Sequence, residues 1–254
     1  MKKLLLTSLI LICASPLTAA TMNYAAGFYV GFMPSYGGNL ESSTQYDPFD
    51  SRNGIDGMNK EMSGHDTTEI KRLLGLSGGI EFKAIIFDYF LMRLAGNYTM
   101  SIYGGAGKTV FLTGGAGTET DVTASYSMWS YDIPLTVGLI IPFWKDVKIS
   151  FSCGLAFAYG AYDNQFKVAS GDRKGSFTGW ALPLVILVQG EYFLGEKIAL
   201  NTSLAYYKGA TETIRDSKRS DTTGLGGAGA VDFAKIDFTG YRFSIGLSYY
   251  FYSI

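Results

Sequence analysis

The sequence predicts an all-β fold, an antiparallel transmembrane β-barrel of eight strands, on three observations. First, residues 238–254 alternate large apolar with small polar side chains, which is the period of two of a β-strand. Second, this run exceeds the about 5–6 residues usual in soluble proteins and suits a strand that crosses a bilayer at a tilt, which takes roughly 9–11 residues. Third, charged residues form only 17% of the chain and aromatic residues 15%, whereas soluble domains carry about 25% charged residues.

The beginning of the chain predicts export. Two lysines, an apolar run over 4–12 and small residues ending at Ala20 have the layout of a secretory signal peptide. The run is too short to cross a membrane as a helix, and no later run reaches the about 18 apolar residues that a helical span needs. We therefore expect a cleaved signal peptide over 1–20, followed by a single outer-membrane β-barrel domain over 21–254.

Two cysteines bear on this expectation. Cys13 lies within the signal peptide, and an acylated Cys13 is the lipoprotein alternative. Ile12 disfavours it, because lipoprotein signals carry a small residue at that position. Removal of the signal leaves Cys153 alone, so we expect no internal disulfide. Cys153 falls on the apolar face of a predicted strand, where it serves as a small hydrophobic residue.

Alternation continues through the rest of the chain. In the third strand, for example, Met92 and Leu94 alternate with Arg93 and Ala95. The sixth strand is less regular, because both of its faces carry leucine or valine. We predict eight strands, with ten as the alternative, over residues 25–35, 70–82, 89–103, 122–141, 147–159, 177–192, 198–207 and 238–254.

The connections between these strands alternate in length. Long polar segments cover 36–68, 104–121, 160–176 and 208–235, and short ones cover 83–88, 142–146 and 193–197. An even-numbered antiparallel barrel with both termini in the periplasm has this layout. We therefore predict four long extracellular loops and three short periplasmic turns.

Alternation alone does not say which face is inside, since a soluble barrel such as a lipocalin also alternates, with its apolar face inward. Here the polar face is mostly Gly, Ser, Ala, Thr and Asn, whereas a face in water would be dense in charge. Small residues suit the crowded interior of an eight-stranded barrel. Aromatic residues also gather near the strand ends, as at the two interfaces of a membrane. The predicted girdle comprises Phe90, Trp129, Phe143, Trp144, Trp180, Tyr192, Tyr241, Tyr249 and Phe251.

The chain resembles the small outer-membrane β-barrel proteins of the OmpX, OmpW and opacity-protein type. The resemblance covers the whole mature chain in layout and is sharpest in the final strand, YRFSIGLSYYFY at 241–252. It implies residence in the bacterial outer membrane, with the bilayer and the outer-membrane assembly machinery as partners. In these families a terminal aromatic is read by that machinery, whereas here Ser253 and Ile254 follow the last aromatic residue. For OmpW, the resemblance implies a pore for hydrophobic molecules.

The polar faces carry a small set of charged and amide side chains. Charges in a dry interior must be paired, so we predict a lumen network in which Arg93 and Arg242 oppose Glu81, Asp132 or Glu191. Such a network acts either as a plug that closes the lumen or as a narrow charged path for small solutes. The predicted members are Glu81, Arg93, Asp132, Lys148, Gln189, Glu191 and Arg242.

Catalytic and cofactor motifs are weak. His65, the single histidine, lies in the first long loop among acids whose spacing matches no calcium loop, so a solvated acidic loop is expected. The run GGAGKT at 104–109 lacks the first glycine of a phosphate loop, because Ile102 stands there. Its glycines are expected to provide loop flexibility. We expect no enzymatic activity, no cofactor, no metal site and no nucleic-acid binding.

These observations lead to one expected function and one alternative. We expect an integral outer-membrane barrel with a structural or adhesive role, which binds a host or other surface ligand through its long loops. The alternative is a narrow pore for small or hydrophobic solutes.

Overall fold

The computed structural model describes residues 22–34, 73–103, 106–113, 118–168, 171–211, 215–216, 220–221 and 236–251. Within these ranges, no α-helix is long and apolar enough to cross a membrane. The strands are β1 (Met22–Met33), β2 (Leu74–Ile86), β3 (Phe90–Tyr103), β4 (Ala106–Thr113), β5 (Thr118–Trp144), β6 (Val147–Val168), β7 (Gly171–Ala181), β8 (Leu184–Phe193), β9 (Ile198–Lys208), β10 (Arg215–Asp216), β11 (Ser220–Asp221) and β12 (Gly240–Phe251).

The strands close into a barrel. Each pairs antiparallel with the next in the order β1, β2, β3, β5, β6, β8, β9, β12, and β12 pairs back onto β1. Closure leaves this wall without an edge strand. With β7 and β8 together as the sixth strand, the predicted eight-stranded antiparallel barrel is confirmed.

The sixth strand is divided, whereas the sequence predicted one strand over 177–192. Pro183 separates β7, which pairs with the far part of β6, from β8, which pairs with β6 and β9. A proline cannot donate to a strand ladder, but its carbonyl still accepts from the Ala156 amide at 2.9 Å. Gly209 packs against this break, since a Cβ there would lie 2.8 Å from Pro183 Cα.

Large apolar side chains cover the outside of the barrel. On β12, for example, the outward residues are Phe243, Ile245 and Leu247, and their neighbours across β1 are Phe32, Val30 and Phe28. Ile80 on β2 is 70% exposed. A continuous apolar surface of this kind is stable only against lipid, so the soluble-barrel alternative is wrong for this fold.

The second strand lies further along the chain than predicted. It covers Leu74–Ile86 instead of 70–82, so residues 83–86 belong to the strand rather than to a connection. A tight turn follows, with positive φ angles of 55° at Phe87 and 63° at Asp88. The connection has three residues, since Ile86 pairs with Phe90. Two successive positive φ values are those of a type I′ turn, whose twist matches that of the flanking strands.

Two of the predicted long loops are largely β-hairpins. β4 pairs with the first part of β5, and β6 continues to Val168 before β7 returns from Gly171. β5 alone has 27 residues, more than twice the roughly 9–11 needed to cross a bilayer. The glycine-rich run at 104–109, predicted to be a flexible loop, enters β4 at Ala106. In the predicted fourth loop, β10 and β11 pair with β7. A sheet therefore projects from the barrel at its loop end, which is the end opposite the three short turns.

Candidate functional site in the barrel lumen

Two charged clusters lie in the lumen, and we call the one nearer the turns the lower cluster and the one nearer the loop end the upper cluster. Glu81, which points inward from β2, is the centre of the lower charged cluster. Its Oε2 accepts from Arg93 Nε at 2.7 Å, and its Oε1 lies 2.7 Å from Lys83 Nζ. Three further donors reach Oε1 at 3.1–3.3 Å: Ser248, Gln189 and Asn201. A buried carboxylate with this many donors is well compensated for its lost hydration.

Lys83 bridges two carboxylates. Its ammonium lies 2.7 Å from Glu81 and 2.5 Å from Glu191, which β8 contributes from another part of the wall. The sequence analysis missed Lys83, because it placed residue 83 in a connection. The signal was present, however, since Glu81, Lys83 and Ile85 continue the inward positions of β2 with a period of two.

Asp132 and Arg242 form the upper charged cluster. Arg242 donates to both carboxylate oxygens, at 2.6 and 3.2 Å, the forked geometry that suits a guanidinium. Asn97 Nδ2 and Tyr207 Oη donate to Asp132 at 2.6 and 3.0 Å. The Arg242 guanidinium lies 4.7 Å from the centroid of the Tyr207 ring, within the range of a cation–π contact.

Tyr29 connects the two clusters. Its hydroxyl donates to Asn97 in the upper cluster, and the Arg93 guanidinium of the lower cluster lies 5.6 Å from its ring. Together the clusters form one layer across the lumen, with three cations and three carboxylates: Lys83, Arg93, Arg242, Glu81, Asp132 and Glu191. We call this the charged layer.

The structure places the predicted lumen residues as follows. Arg93 pairs with Glu81, and Arg242 pairs with Asp132. Glu191 pairs with Lys83, which the prediction did not include. Lys148 lies closer to the turns, with its ammonium 5.0 Å from the ring centroid of Phe193.

Inward-facing glycines make room for the charged layer. A Cβ at Gly27 would lie 2.8 Å from Ser248 Oγ and 3.2 Å from Glu81 Oε1. A Cβ at Gly79 would lie 2.5 Å from Asn97 Oδ1. All three distances are shorter than ordinary van der Waals contact, so a larger residue at Gly27 or Gly79 would displace the side chains opposite it.

Apolar residues fill the lumen between the charged layer and the turns. Tyr250 belongs to both, since its ring packs 5.0 Å from that of Phe193 and its hydroxyl donates to Glu191 at 2.5 Å. The buried members of this turn-end layer are Ala25, Ile85, Leu91, Ile140, Ala199 and Tyr250.

A second apolar group occupies the loop end. Tyr126 and Tyr162, on the inward face of the projecting sheet, pack with ring centroids 5.7 Å apart. Phe238 crosses to the opposite wall, where a Cβ at Gly160 would lie 3.2 Å from its ring. The buried apolar residues of this loop-end layer are Met33, Leu73, Tyr126, Met128, Tyr162, Phe177, Ile236 and Phe238.

The predicted girdle residues point outward in two bands. At the loop end, Trp129 lies 5.9 Å from Tyr159, and Trp180 stacks with Phe157. Tyr241, also at this end, pairs with Tyr206. The turn-end band contains Phe90, Phe143, Trp144, Tyr192, Tyr249 and Phe251.

Beyond the loop-end band, the outward residues become polar at once. The next outward row across β5, β6 and β7 is Ser127, Asp163 and Ser176. Tryptophan and tyrosine favour the interface of a membrane. The exposed apolar surface of the barrel therefore lies between the two aromatic bands.

Several predicted features lie outside the described residues: the signal peptide over 1–20, Cys13, His65 and the acidic loop around it. Within the part that the structure describes, no group of three His, Cys, Asp or Glu side chains could hold a metal ion. Cys153 is free and faces outward.

The closed eight-stranded wall, the apolar exterior between two aromatic bands and the polar interior define a class. This chain is a small transmembrane β-barrel of the bacterial outer-membrane type.

No protein-family model matches the sequence, and no curated protein matches it either. Solved structures with a similar fold include the outer membrane protein OprG from Pseudomonas aeruginosa, at 13% identity over 92% of this chain and 97% of that one, with a TM-score of 0.45. A major outer membrane protein from Thermus thermophilus has 13% identity over 91% and 99%, with a TM-score of 0.41. The attachment invasion locus protein Ail of Yersinia pestis has 9% identity over 92% and 100%, with a TM-score of 0.35. The class therefore rests on the geometry of this barrel itself.

Proposed function

We propose that this chain is a non-catalytic outer-membrane barrel that stays closed to solutes and binds partners at its loop end. The observation that carries the proposal is the content of the lumen, where the turn-end layer, the charged layer and the loop-end layer follow one another. The interior of an eight-stranded barrel is just wide enough for its own side chains. Three successive layers of side chains therefore argue against a continuous channel through the lumen.

The charged layer supports closure for a second reason. Its three cations and three carboxylates are paired with one another at 2.5–2.7 Å. A passing ion would have to separate buried pairs and leave charges without compensation, which costs several kcal/mol per ion, on the order of 3–5 kcal/mol when one partner is lost.

The projecting sheet supports the binding role. Its outward face is polar beyond the aromatic band, and its inward face closes over the barrel. β4 pairs with β5 along one side, and no other described strand pairs with its second side. A free strand edge offers backbone donors and acceptors to an extended segment of another protein.

Single-channel recording across a planar bilayer tests closure. The protein would be refolded and its barrel checked by a heat-dependent gel shift before insertion. We expect no current steps from correctly folded protein. Steady and reproducible steps would overturn the closed-barrel proposal.

Adhesion assays test the binding role. Bacteria that display the full chain would be applied to immobilised surface glycoproteins and to epithelial cells, with display of the folded barrel checked by gel shift. We expect adhesion above that of bacteria without the chain. Proline at position 110 or 111 of β4 removes one backbone donor on alternate sides of the strand, so one of the two variants should lose more adhesion. Absence of adhesion by the displayed, folded chain would contradict this role.

The alternative is a narrow pore for small or hydrophobic solutes, which the resemblance to OmpW implies. Entry of a hydrophobic fluorescent solute into vesicles that contain the barrel, faster than into empty vesicles, would support this alternative.

A further inference from the structure

A groove runs across the lipid-facing side of β12, β1 and β2. It is open to the outside and has a volume of about 310 Å³. Val30, Phe32, Leu76, Phe243 and Ile245 form its walls, with Gly31 and Ser244 between them, and almost none of its surface is polar. The register explains its shape, because Ile245, Val30 and Gly78 lie side by side in one row across the three strands. Valine and glycine make this row low, and a Cβ at Gly78 would find no atom within 4 Å.

Taller side chains bound the row on both sides. Phe32 and Phe243 stack above it, with ring centroids 5.3 Å apart and an interplanar angle of 20°. Below it, Phe28 and Ile80 project outward and are 60% and 70% exposed. The row is therefore low between two ridges of taller side chains. The groove itself lies between this row and the ridge of Phe32 and Phe243.

The depth of the groove restricts what fills it. Ile245 lies midway along β12 between Tyr241 of the loop-end band and Tyr249 of the turn-end band. The aromatic bands mark the interfaces, so the groove lies near the middle of the hydrocarbon layer. Water and headgroups do not reach this depth, and the occupant has to be apolar.

We propose that this groove binds one acyl chain of a membrane lipid and holds it more tightly than the surrounding lipid holds its own chains. A chain in the groove contacts Phe32, Phe243 and Leu76 on one side and Val30 and Ile245 on the other. Dispersion attraction grows with the number of such contacts. A second barrel is a poorer occupant, because the ridges hold a broad surface away from the groove. Apolar surfaces of two barrels also gain little over their contact with lipid tails.

Photolabelling from within the bilayer tests this proposal. The full chain would be placed in phosphatidylethanolamine vesicles in which a fraction of the lipid carries a diazirine near the end of one acyl chain. After illumination, mass spectrometry would locate the labelled residues. We expect several-fold more label on Val30, Phe32 and Ile245 than on Leu135, Val137 and Leu139, which are equally exposed to lipid on β5.

Two matched variants sharpen the test. Gly78→Phe places a ring in the groove and should reduce labelling there to the level of β5. Val137→Phe adds the same ring on β5, midway between Trp129 and Trp144, and should leave groove labelling unchanged. Even labelling of both faces in the unmodified protein overturns the proposal, whether or not either variant folds. A dimer that Gly78→Phe disperses would overturn it as well, since a second copy would then occupy the groove.

Discussion

The Arg242 guanidinium, carried by the last strand of the barrel, donates to both oxygens of Asp132 on β5, at 2.6 and 3.2 Å. The two residues are 110 positions apart in the sequence. Both are nearly inaccessible to solvent, so each depends on the other for its compensation.

Arg242→Leu should therefore lower the free energy of unfolding by about 3–5 kcal/mol, because it leaves Asp132 buried without its cation. Equilibrium urea unfolding in lipid vesicles, followed by the heat-dependent gel shift, measures this change. The double variant Arg242→Leu with Asp132→Leu should recover much of the loss. An unchanged urea midpoint for the single variant would mean that the Arg242–Asp132 pair does not contribute to the stability of the barrel.

Lys83 and Lys148 provide a second test within the same lumen. Lys83→Met separates Glu81 from Glu191 without a cation between them and should cost about 3–5 kcal/mol. Lys148→Met removes a cation that lies over the rings of Phe193 and Tyr250 and should cost about 1 kcal/mol or less. The same unfolding assay compares the two variants. Equal losses of stability would contradict the role of Lys83 as the cation between Glu81 and Glu191.

Gly78 and Gly79 are neighbours that face opposite sides of the wall. Gly79→Ala brings a Cβ to 2.5 Å from Asn97 and 2.7 Å from the Tyr29 ring, so it should destabilise the barrel by about 1–3 kcal/mol. Gly78→Ala meets no atom within 4 Å and should be tolerated or slightly stabilising. Thermal unfolding in detergent micelles distinguishes the two. The reverse order would mean that the faces of β2 are assigned wrongly.

The turn after β2 contains a residue in an unfavourable conformation. Phe87 has a φ of 55°, where a residue other than glycine pays a steric penalty of about 1–2 kcal/mol and asparagine is better tolerated. Phe87→Asn should therefore be more favourable for stability than Phe143→Asn, which removes an equally exposed turn-end aromatic outside the positive-φ positions. Urea midpoints of both variants measure the difference. If Phe87→Asn lost as much stability as its control, strain at this turn would be ruled out.

Strand type and the inward or outward direction of side chains could be predicted without coordinates. The reason is physical: each strand of this barrel separates lipid from a narrow interior, so successive residues must differ in size and polarity. That requirement placed Glu81, Arg93, Asp132 and Arg242 on inward positions of their strands, as in the structure. It failed where polarity gave no contrast, as in β4 and the outer parts of β5, β6 and β7, where strands continue beyond the membrane through segments that are polar in composition.

Strand ends were harder to place than strand faces. Lys83 was assigned to the short connection over 83–88, although its alternation with Glu81 and Ile85 continues the inward face of β2, and the turn at Phe87 and Asp88 shows that the strand extends this far. Pro183 had a comparable effect on the sixth strand. There the run of leucine and valine continued, while the hydrogen-bond ladder did not.

Which inward side chains contact each other was decided by the closed barrel alone. Alternation tells that Arg242 and Asp132 face inward, but not that they meet, since their contact depends on the register of every ladder around the wall and on the closure of β12 onto β1. The lipid-facing groove has the same origin, because Ile245, Val30 and Gly78 become neighbours only through two of these registers. A period of two sets the face of each residue along its strand, whereas the hydrogen bonds between strands set which residues lie side by side.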